Sequence, residues 1–148
     1  MNKNNQSINE AIVIANNNVA KNYLNSDELS LAVKHFKKSI SINRDNKDSQ
    51  YGLIIAEGRV LIKRGNKNGI WDAIEKFSKA SSIIPKKGEP FYWIAVSYTK
   101  LGDTEFDLIL ESYEKSLSLE LDENIKDEVE ENYKKAKNRK NKLDSFWK

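Results

Sequence analysis

Apolar side chains recur along this chain at spacings of three, four and seven residues, with polar residues between them. In the last segment, Ile125, Val129, Tyr133 and Ala136 form one such stripe on an otherwise charged stretch, which Leu143 extends. This spacing marks one face of an α-helix, because 3.6 residues complete a turn. The pattern predicts an all-α protein with helices near residues 7–24, 27–43, 47–64, 70–84, 90–101, 105–120 and 123–146.

Residues at the predicted helix ends support these boundaries. Ser7 with Glu10 has the spacing of a capping box that opens the first helix, and Ser26 is placed to cap the second. Pro85 predicts the end of the fourth helix, and Pro90 is typical of the first turn of the fifth.

Small and aromatic residues repeat in the same order three times along the chain. Small residues at Ala20, Gly58 and Ala95 would let paired helices approach closely. Aromatic residues would fill the space between neighbouring pairs: Tyr23, Phe36, Phe77, Tyr98 and Tyr113. One helix pair cannot bury its apolar face alone, so the pattern predicts a stack of units.

The three copies resemble the tetratricopeptide repeat (TPR) family over roughly residues 8–122. The third copy matches both helices of the family's pattern, at Phe91, Ile94, Ala95, Tyr98, Leu101, Gly102, Ile109, Tyr113 and Ser116. The second copy matches at Gly58, Ala73, Phe77, Ala80 and Pro85. The first departs from the pattern by placing Asn16 where a large apolar residue is usual.

The resemblance implies one domain over residues 1–148. It would contain three TPR-like helix-turn-helix repeats, stacked as a right-handed superhelix. The repeats would span approximately residues 13–46, 51–87 and 88–122. A helix at approximately 123–146 would then cap the open apolar end of the third repeat.

The resemblance also implies a noncatalytic scaffold, adaptor or assembly chaperone that binds a partner protein or peptide in its concave groove. On the family's pattern, the groove-facing residues would be Asn17, Asn18, Lys21, Arg59, Lys63, Tyr92, Trp93, Val96 and Lys100. Their cations and aromatic rings lead us to expect an acidic peptide with an apolar anchor against Trp93 and Tyr92. The alternative is that Trp93 packs on the adjacent helix and the lysines are ordinary solvated charges.

Some TPR proteins hold the C-terminal carboxylate of a chaperone through a set of Lys, Asn and Arg residues. Here Asn17 and Lys21 stand in reversed order, and Ala56 replaces an expected Asn. Glu89 and Trp93 stand where cations would be needed. We therefore do not expect this chain to bind a chaperone C-terminus.

The last predicted helix is acidic early and basic late, which complements the helix dipole and allows the pair Glu131–Lys135. Its late part is a basic patch that comprises Lys134, Lys135, Lys137, Arg139, Lys140 and Lys142. An alternative function is therefore contact with a nucleic acid or an anionic membrane surface, although the net charge of +3 is modest. Self-association through helix faces is a third possibility.

Candidate catalytic and metal-binding groups are scarce in this sequence. His35 is the single histidine, and there is no cysteine, so the common zinc ligand sets are missing. The glycines of residues 64–69 lack the phosphate-binding signature. We expect no enzymatic activity, metal or cofactor. Without a signal-peptide pattern or a long apolar run, we expect a cytoplasmic protein.

Overall fold

The computed structural model describes residues 3–102 and 104–148. Within them the chain forms seven α-helices, which confirms the predicted all-α class. The helices are α1 (Lys3–Asn25), α2 (Leu29–Ile42), α3 (Lys47–Arg64), α4 (Lys67–Ile83), α5 (Glu89–Leu101), α6 (Phe106–Leu117) and α7 (Glu123–Trp147).

Two of the predicted helix caps are wrong. Helix α1 begins at Lys3, so Ser7 lies inside it. Ser26 does not cap α2, because its Oγ donates back to the Asn22 carbonyl oxygen at 2.9 Å. A serine hydroxyl can satisfy a helix carbonyl as readily as it caps the next helix, and the sequence does not distinguish the two.

Asparagines cap the second repeat's helices instead. The Asn46 side chain accepts from the Ser49 amide at 2.9 Å at the start of α3. The Asn66 side chain accepts from the Gly69 amide at 2.8 Å at the start of α4. Each satisfies one amide that has no partner within its helix. Pro90 lies in the first turn of α5, as predicted.

Consecutive helices pack against each other, and α1 also contacts α3 while α3 contacts α5. This is the contact pattern of stacked helix-turn-helix units, in which each pair meets its neighbours along the chain. The pairs are α1 with α2, α3 with α4, and α5 with α6. The odd-numbered helices form one layer of the stack, which is the layer that carries the candidate site.

Close packing inside the stack depends on glycine, as predicted for Gly58. A Cβ atom at that position would lie 2.5 Å from the Phe77 ring, which is fully buried. Gly52 has the same relation to the buried ring of Phe36, at the junction between the first two pairs. At both positions a ring occupies the volume that any larger residue would need.

Helix α7 covers the far side of the third pair. Val129 and Ala136 are fully buried against a cluster that includes Tyr92 and Tyr113. The Tyr92 hydroxyl donates to Glu128 at 2.8 Å and accepts from Asn132 at 3.0 Å. The predicted capping stripe is therefore confirmed at Val129, Tyr133 and Ala136, whereas Leu143 is 39% exposed and does not extend it. Across the described part of the chain, no helix has the length and apolar character needed to cross a bilayer.

Candidate functional site

A concave groove of about 680 Å³ runs along α1, α3 and α5, and the first turns of α7 close one side of it. Its apolar lining includes Leu24, Ile55 and Ile125. At one edge Asn124 Nδ2 donates to Asn25 Oδ1 at 3.1 Å, a contact between the last helix and the first. The volume lies within the range of about 300–1,000 Å³ that is usual for ligand pockets.

Trp93 both packs in the core and lines the groove. Its half-buried ring stacks on Phe77 with centroids 6.3 Å apart, and it lies 4.8 Å from the Tyr92 ring. Its Nε1 donates to Glu89 Oε1 at 3.1 Å. Part of the ring also contributes to the groove wall. The expected packing of Trp93 on a neighbouring helix is therefore present, and its role as an anchor for a partner stays a prediction.

Asp27 engages two of the four predicted groove cations. Its carboxylate lies 3.2 Å from Arg59 Nη2 and 2.8 Å from Lys63 Nζ. The hydrogen bond and the charge of Lys63, and then the charge of Arg59, lower the pKa of Asp27 below its usual value. The Arg59 guanidinium also lies 4.7 Å above the Trp93 ring. Arg59 therefore links the α1–α2 turn to α5.

Glu89 brings a carboxyl group into the groove wall beside Trp93. Burial raises the pKa of Glu89, and the nearby Asp122 adds to this effect. The hydrogen bond from Trp93 and the charge of Arg59 act in the opposite direction. A carboxyl group at this position disfavours an anion beside it.

Tyr51 is a second aromatic residue in the groove wall, and it is not among the groove residues predicted from the sequence. It is 7% exposed, and within the described residues its hydroxyl has no hydrogen-bond partner. The Lys87 ammonium group lies 5.6 Å from the ring centroid. Burial, together with the charges of Glu89 and Asp122, raises the pKa of Tyr51.

The charged lining of the groove is mixed. Three basic side chains line it, namely Lys21, Arg59 and Lys87. Five acidic side chains also line it, namely Asp27, Asp48, Glu89, Asp122 and Glu128. Because acidic groups outnumber basic ones, the lining does not attract anions overall.

Three of the predicted groove residues line this cavity: Lys21, Arg59 and Trp93. Asn18, Lys63 and Lys100 are exposed, but they lie outside its lining. Val96 is half-buried and packs against both neighbouring core clusters.

Two of the predicted groove residues, Asn17 and Tyr92, are instead buried. Asn17 is 4% exposed, and its Oδ1 accepts from Ser49 Oγ at 3.0 Å, which joins α1 to α3. Tyr92 is 2% exposed, because α7 docks over its ring. The expectation that the Tyr92 ring is an exposed anchor is therefore corrected.

Several side chains of the basic patch already have partners within the chain. Lys135 pairs with Glu131 at 3.1 Å, as predicted, and Lys140 pairs with Asp107 at 2.9 Å. The Lys137 ammonium group lies 4.9 Å from the Tyr133 ring centroid. Arg139 is half-buried, whereas Lys134 and Lys142 are exposed. The alternative that this patch contacts a nucleic acid or a membrane surface stays a prediction. The patch offers such a ligand fewer cations than the sequence suggests.

His35 holds α1 and α2 together. Its Nδ1 lies 3.1 Å from Asn16 Oδ1, and its ring stacks on Tyr23 with centroids 5.5 Å apart. Asn16 also donates from Nδ2 to the Ile12 carbonyl oxygen. This polar contact accounts for the asparagine at a position where TPR sequences usually carry a large apolar residue.

No family model matches the sequence, and no curated protein matches it significantly. A solved structure does match: the first TPR of Spaghetti (RPAP3), bound to the HSP90 peptide SRMEEVD. The two share 12% sequence identity over 86% of this chain and 91% of the other, with a TM-score of 0.56. At this identity the likeness concerns the fold alone. The chain has a TPR-like fold of stacked helix-turn-helix repeats.

Proposed function

We propose that this protein is a noncatalytic protein-binding domain whose concave groove holds a segment of a partner. The observation that carries the proposal is the cavity of about 680 Å³ on the odd-numbered helices, with part of the Trp93 ring in its wall. The cavity combines apolar walls with a few converging polar groups, as ligand pockets usually do. Trp is also enriched among the residues that dominate binding energy.

The groove is well suited to a partner segment because its walls are held in place before binding. Phe77 and Tyr92 support the Trp93 ring from the core, and Arg59 covers it. A supported ring loses little conformational freedom on binding, so less of the contact energy is offset. We propose that an apolar side chain of the partner packs on the Trp93 edge, with Leu24 and Ile125 beside it.

The charge of the partner segment is a separate part of the proposal. The acidic ligand expected from the sequence depended on free cations, yet Asp27 engages both Arg59 and Lys63. The remaining lining is more acidic than basic. We therefore propose that basic or mixed charges beside the anchor bind better than acidic ones. The acidic ligand stays a prediction that the same experiment tests.

The chaperone peptide of the solved neighbour is a poor model for this ligand. That peptide, SRMEEVD, has three acidic side chains and one basic side chain. In this chain Glu89 lies in the groove wall, and Asn17 is buried by its contact with Ser49. An anionic terminus would meet a carboxyl group there. We propose that this protein does not bind such C-terminal peptides.

The test begins with selection of peptides from a random displayed library on the immobilised protein. Calorimetry then compares the affinity of a selected peptide for wild type, Trp93→Ala and Trp71→Ala. Trp71 is the matched control, because it is 48% exposed and lies on α4, outside the groove lining. We expect ~10-fold or greater weakening for Trp93→Ala, and little change for the control.

Because Trp93 also packs in the core, melting temperatures must accompany the affinities. Trp93→Phe keeps an aromatic ring in the core but removes the hydrogen bond to Glu89. Comparing it with Trp93→Ala therefore separates the loss of core packing from the loss of contact with the peptide. Equal affinities for wild type and a folded Trp93→Ala would overturn the proposal. Two further peptides that keep the anchor but carry Lys or Asp beside it would decide the charge preference.

A further inference from the structure

The hydroxyl group of Tyr51 is an unsatisfied polar group in the wall of the groove. The residue is 7% exposed, and its hydroxyl has no hydrogen-bond partner within the described residues. The large majority of buried polar side-chain atoms do have a partner, because leaving one unpaired destabilises the fold. This exception indicates that the hydroxyl is placed to meet a group from outside the chain.

Two carboxyl groups from other parts of the fold act on this hydroxyl. Glu89 lies in the first turn of α5, Asp122 directly precedes α7, and both line the same groove as Tyr51. Burial, and then the charges of Glu89 and Asp122, raise the pKa of Tyr51. Both of these charges are negative, so the field at the hydroxyl favours a ligand that is cationic and donates hydrogen bonds.

The two carboxyl groups keep acceptor capacity for such a ligand. Glu89 is half-buried, and its one hydrogen bond to a described residue comes from Trp93 Nε1 to Oε1, at 3.1 Å. Asp122 is exposed and does not cap α7 with its side chain. Neither residue forms an ion pair within residues 3–102 and 104–148. Because an ionised carboxyl group accepts about four hydrogen bonds, most of this capacity is unused.

The chain's own cations compensate these carboxyl groups only in part. Arg59 is engaged by the α1–α2 turn and lies over the Trp93 ring, and the Lys87 ammonium group lies 5.6 Å from the centroid of the Tyr51 ring. The charges of Arg59 and Lys87 lower the pKa of Glu89, yet burial outweighs them and the pKa stays raised. The half-buried carboxyl group therefore still lacks a close counter-charge.

The remaining charges of the groove leave it negative. Glu128 accepts the hydrogen bond of Tyr92, whereas Asp48 and Lys21 are exposed. In all, five acidic and three basic side chains line the groove, and they include the Asp27–Arg59 pair. A cation that enters the groove is therefore attracted to the surface as a whole.

An arginine side chain suits this arrangement better than a lysine side chain. A guanidinium group has five N–H donors in a planar fork, so it can donate to the Tyr51 hydroxyl and to both carboxyl groups at once. Its flat face also stacks on aromatic rings, and Trp93 lies in the same groove wall. An ammonium group has three donors on one nitrogen and cannot stack in this way.

We propose that Tyr51, Glu89 and Asp122 form an arginine subsite, which binds the guanidinium group of an arginine side chain in the partner segment. This inference rests on the proposed function, since it takes the groove as the place where the partner lies. The guanidinium group supplies a donor to the Tyr51 hydroxyl and a counter-charge to Glu89. A partner without that group leaves these buried polar atoms unpaired, which is a strong basis for selectivity.

The first test uses two small probes, N-acetyl-arginine amide and N-acetyl-citrulline amide, which have similar shapes but differ in side-chain charge. A probe of about 15 non-hydrogen atoms binds in the millimolar range, so amide NMR titrations at constant ionic strength extend beyond it. We expect the arginine probe to shift the amides of Tyr51, Glu89 and Asp122, and the citrulline probe to leave them unchanged. Equal shifts with both probes, or no shift at these residues, would overturn the subsite.

The second test changes the subsite without disturbing the fold. Glu89→Gln and Tyr51→Phe each remove one polar feature and keep the shape of the side chain, and each should leave the melting temperature unchanged or higher. We expect the arginine probe to bind roughly 5-fold to 10-fold more weakly to Glu89→Gln and about 3-fold more weakly to Tyr51→Phe. Glu75→Gln is the matched control, because Glu75 is exposed on α4, outside the groove lining. If Glu89→Gln bound the arginine probe as well as wild type does, the proposal would be wrong.

Selection of displayed peptides separates a failure of this subsite from a failure of the groove. Peptides selected on wild type should carry Arg at a fixed distance from an apolar anchor, and peptides selected on Glu89→Gln should keep the anchor but lose the Arg. Selected peptides that depend on Trp93 but show no preference for Arg would overturn the subsite and leave the proposed function standing. Peptides whose affinity depends on neither Trp93 nor Glu89 would overturn both.

Discussion

The two ends of this repeat array differ in whether the chain itself covers their apolar side chains. At the C-terminal end, α7 lays Val129 and Ala136 on the third pair and turns exposed charged residues outwards. At the N-terminal end, α1 leaves Ile8, Ile12 and Val19 in solvent. One end is covered by the chain itself, whereas the other keeps an apolar surface that a partner could cover.

The comparison shows that the same periodic pattern can have opposite consequences. Four-and-three spacing gives α7 a buried stripe because α6 and Tyr92 lie beneath it. The same spacing gives α1 an exposed stripe because its buried face already packs on α2 and α3. The difference therefore depends on which helices lie beside each stripe.

The largest predicted effect comes from placing the same charge at both ends. Val129→Asp buries a carboxylate without a partner, so we expect a loss of more than ~3 kcal/mol in the free energy of unfolding. Ile12→Asp is the matched variant at the other end, and it should change that free energy by no more than ~0.5 kcal/mol in dilute protein. Urea unfolding at low protein concentration measures both. Equal losses would contradict the difference between the ends.

The next effect tests the interior of the stack, which both ends share. Gly58→Ala places a methyl group against the Phe77 ring, so we expect a loss of ~1–3 kcal/mol in unfolding free energy from overpacking. Combining it with Phe77→Leu should cost less than the sum of the two single changes, because the smaller side chain gives the methyl group room. A full double-mutant cycle by urea unfolding measures this coupling. If the losses in unfolding free energy were additive, the packing of the Phe77 ring would not depend on the glycine at position 58.

A pH-dependent effect belongs to the capped end. Burial raises the pKa of Glu89 above the ordinary value of 4.5, so its ionised form destabilises the folded state. That cost is absent below pH 4.5, grows as the pH rises towards the folded-state pKa, and is complete above it. Glu89→Gln should therefore raise the unfolding free energy by about 1 kcal/mol at neutral pH and have little effect at low pH. Thermal melts at several pH values test this, with the exposed Glu10→Gln as control.

The smallest effect concerns the ion pairs between the first pair of helices and α3. Asp27 has a lowered pKa, so it contributes stability above pH 3.8, and this contribution is lost as the pH falls through the folded-state value. Asp27→Asn should cost about 0.5 kcal/mol at neutral pH, since exposed ion pairs are weak. Asn tolerates the left-handed backbone at φ 58°, so the turn is kept. Melts in low and high salt measure the loss, which salt should reduce.

Much of the fold was predictable because it depends on local spacing. Helices α3 and α5 lie within one residue of their predicted bounds, and Gly58 and the α7 stripe have their predicted roles. The cap at Ser7 was wrong because α1 begins at Lys3, and the cap at Ser26 was wrong because its hydroxyl donates to the Asn22 carbonyl oxygen instead. Asn46 and Asn66 are the side chains that cap α3 and α4 instead.

Less of the candidate site was predictable, because it depends on contacts between distant residues. Arg59 and Asp27 are 32 positions apart, and no spacing rule links them. Tyr92 and Trp93 are neighbours in sequence, yet α7 buries the first while the second reaches the groove. Tyr51 was missed because its place in the groove wall depends on how α3 faces α5 and α7.

The central claim is that the concave groove is the binding surface, and amide NMR spectra recorded during titration with a selected peptide test it most directly. We predict that the shifted amides cluster on α1, α3, α5 and the first turns of α7, around Trp93 and Tyr51. Shifts that cluster instead on α2, α4 and α6, or on the basic end of α7, would contradict the account.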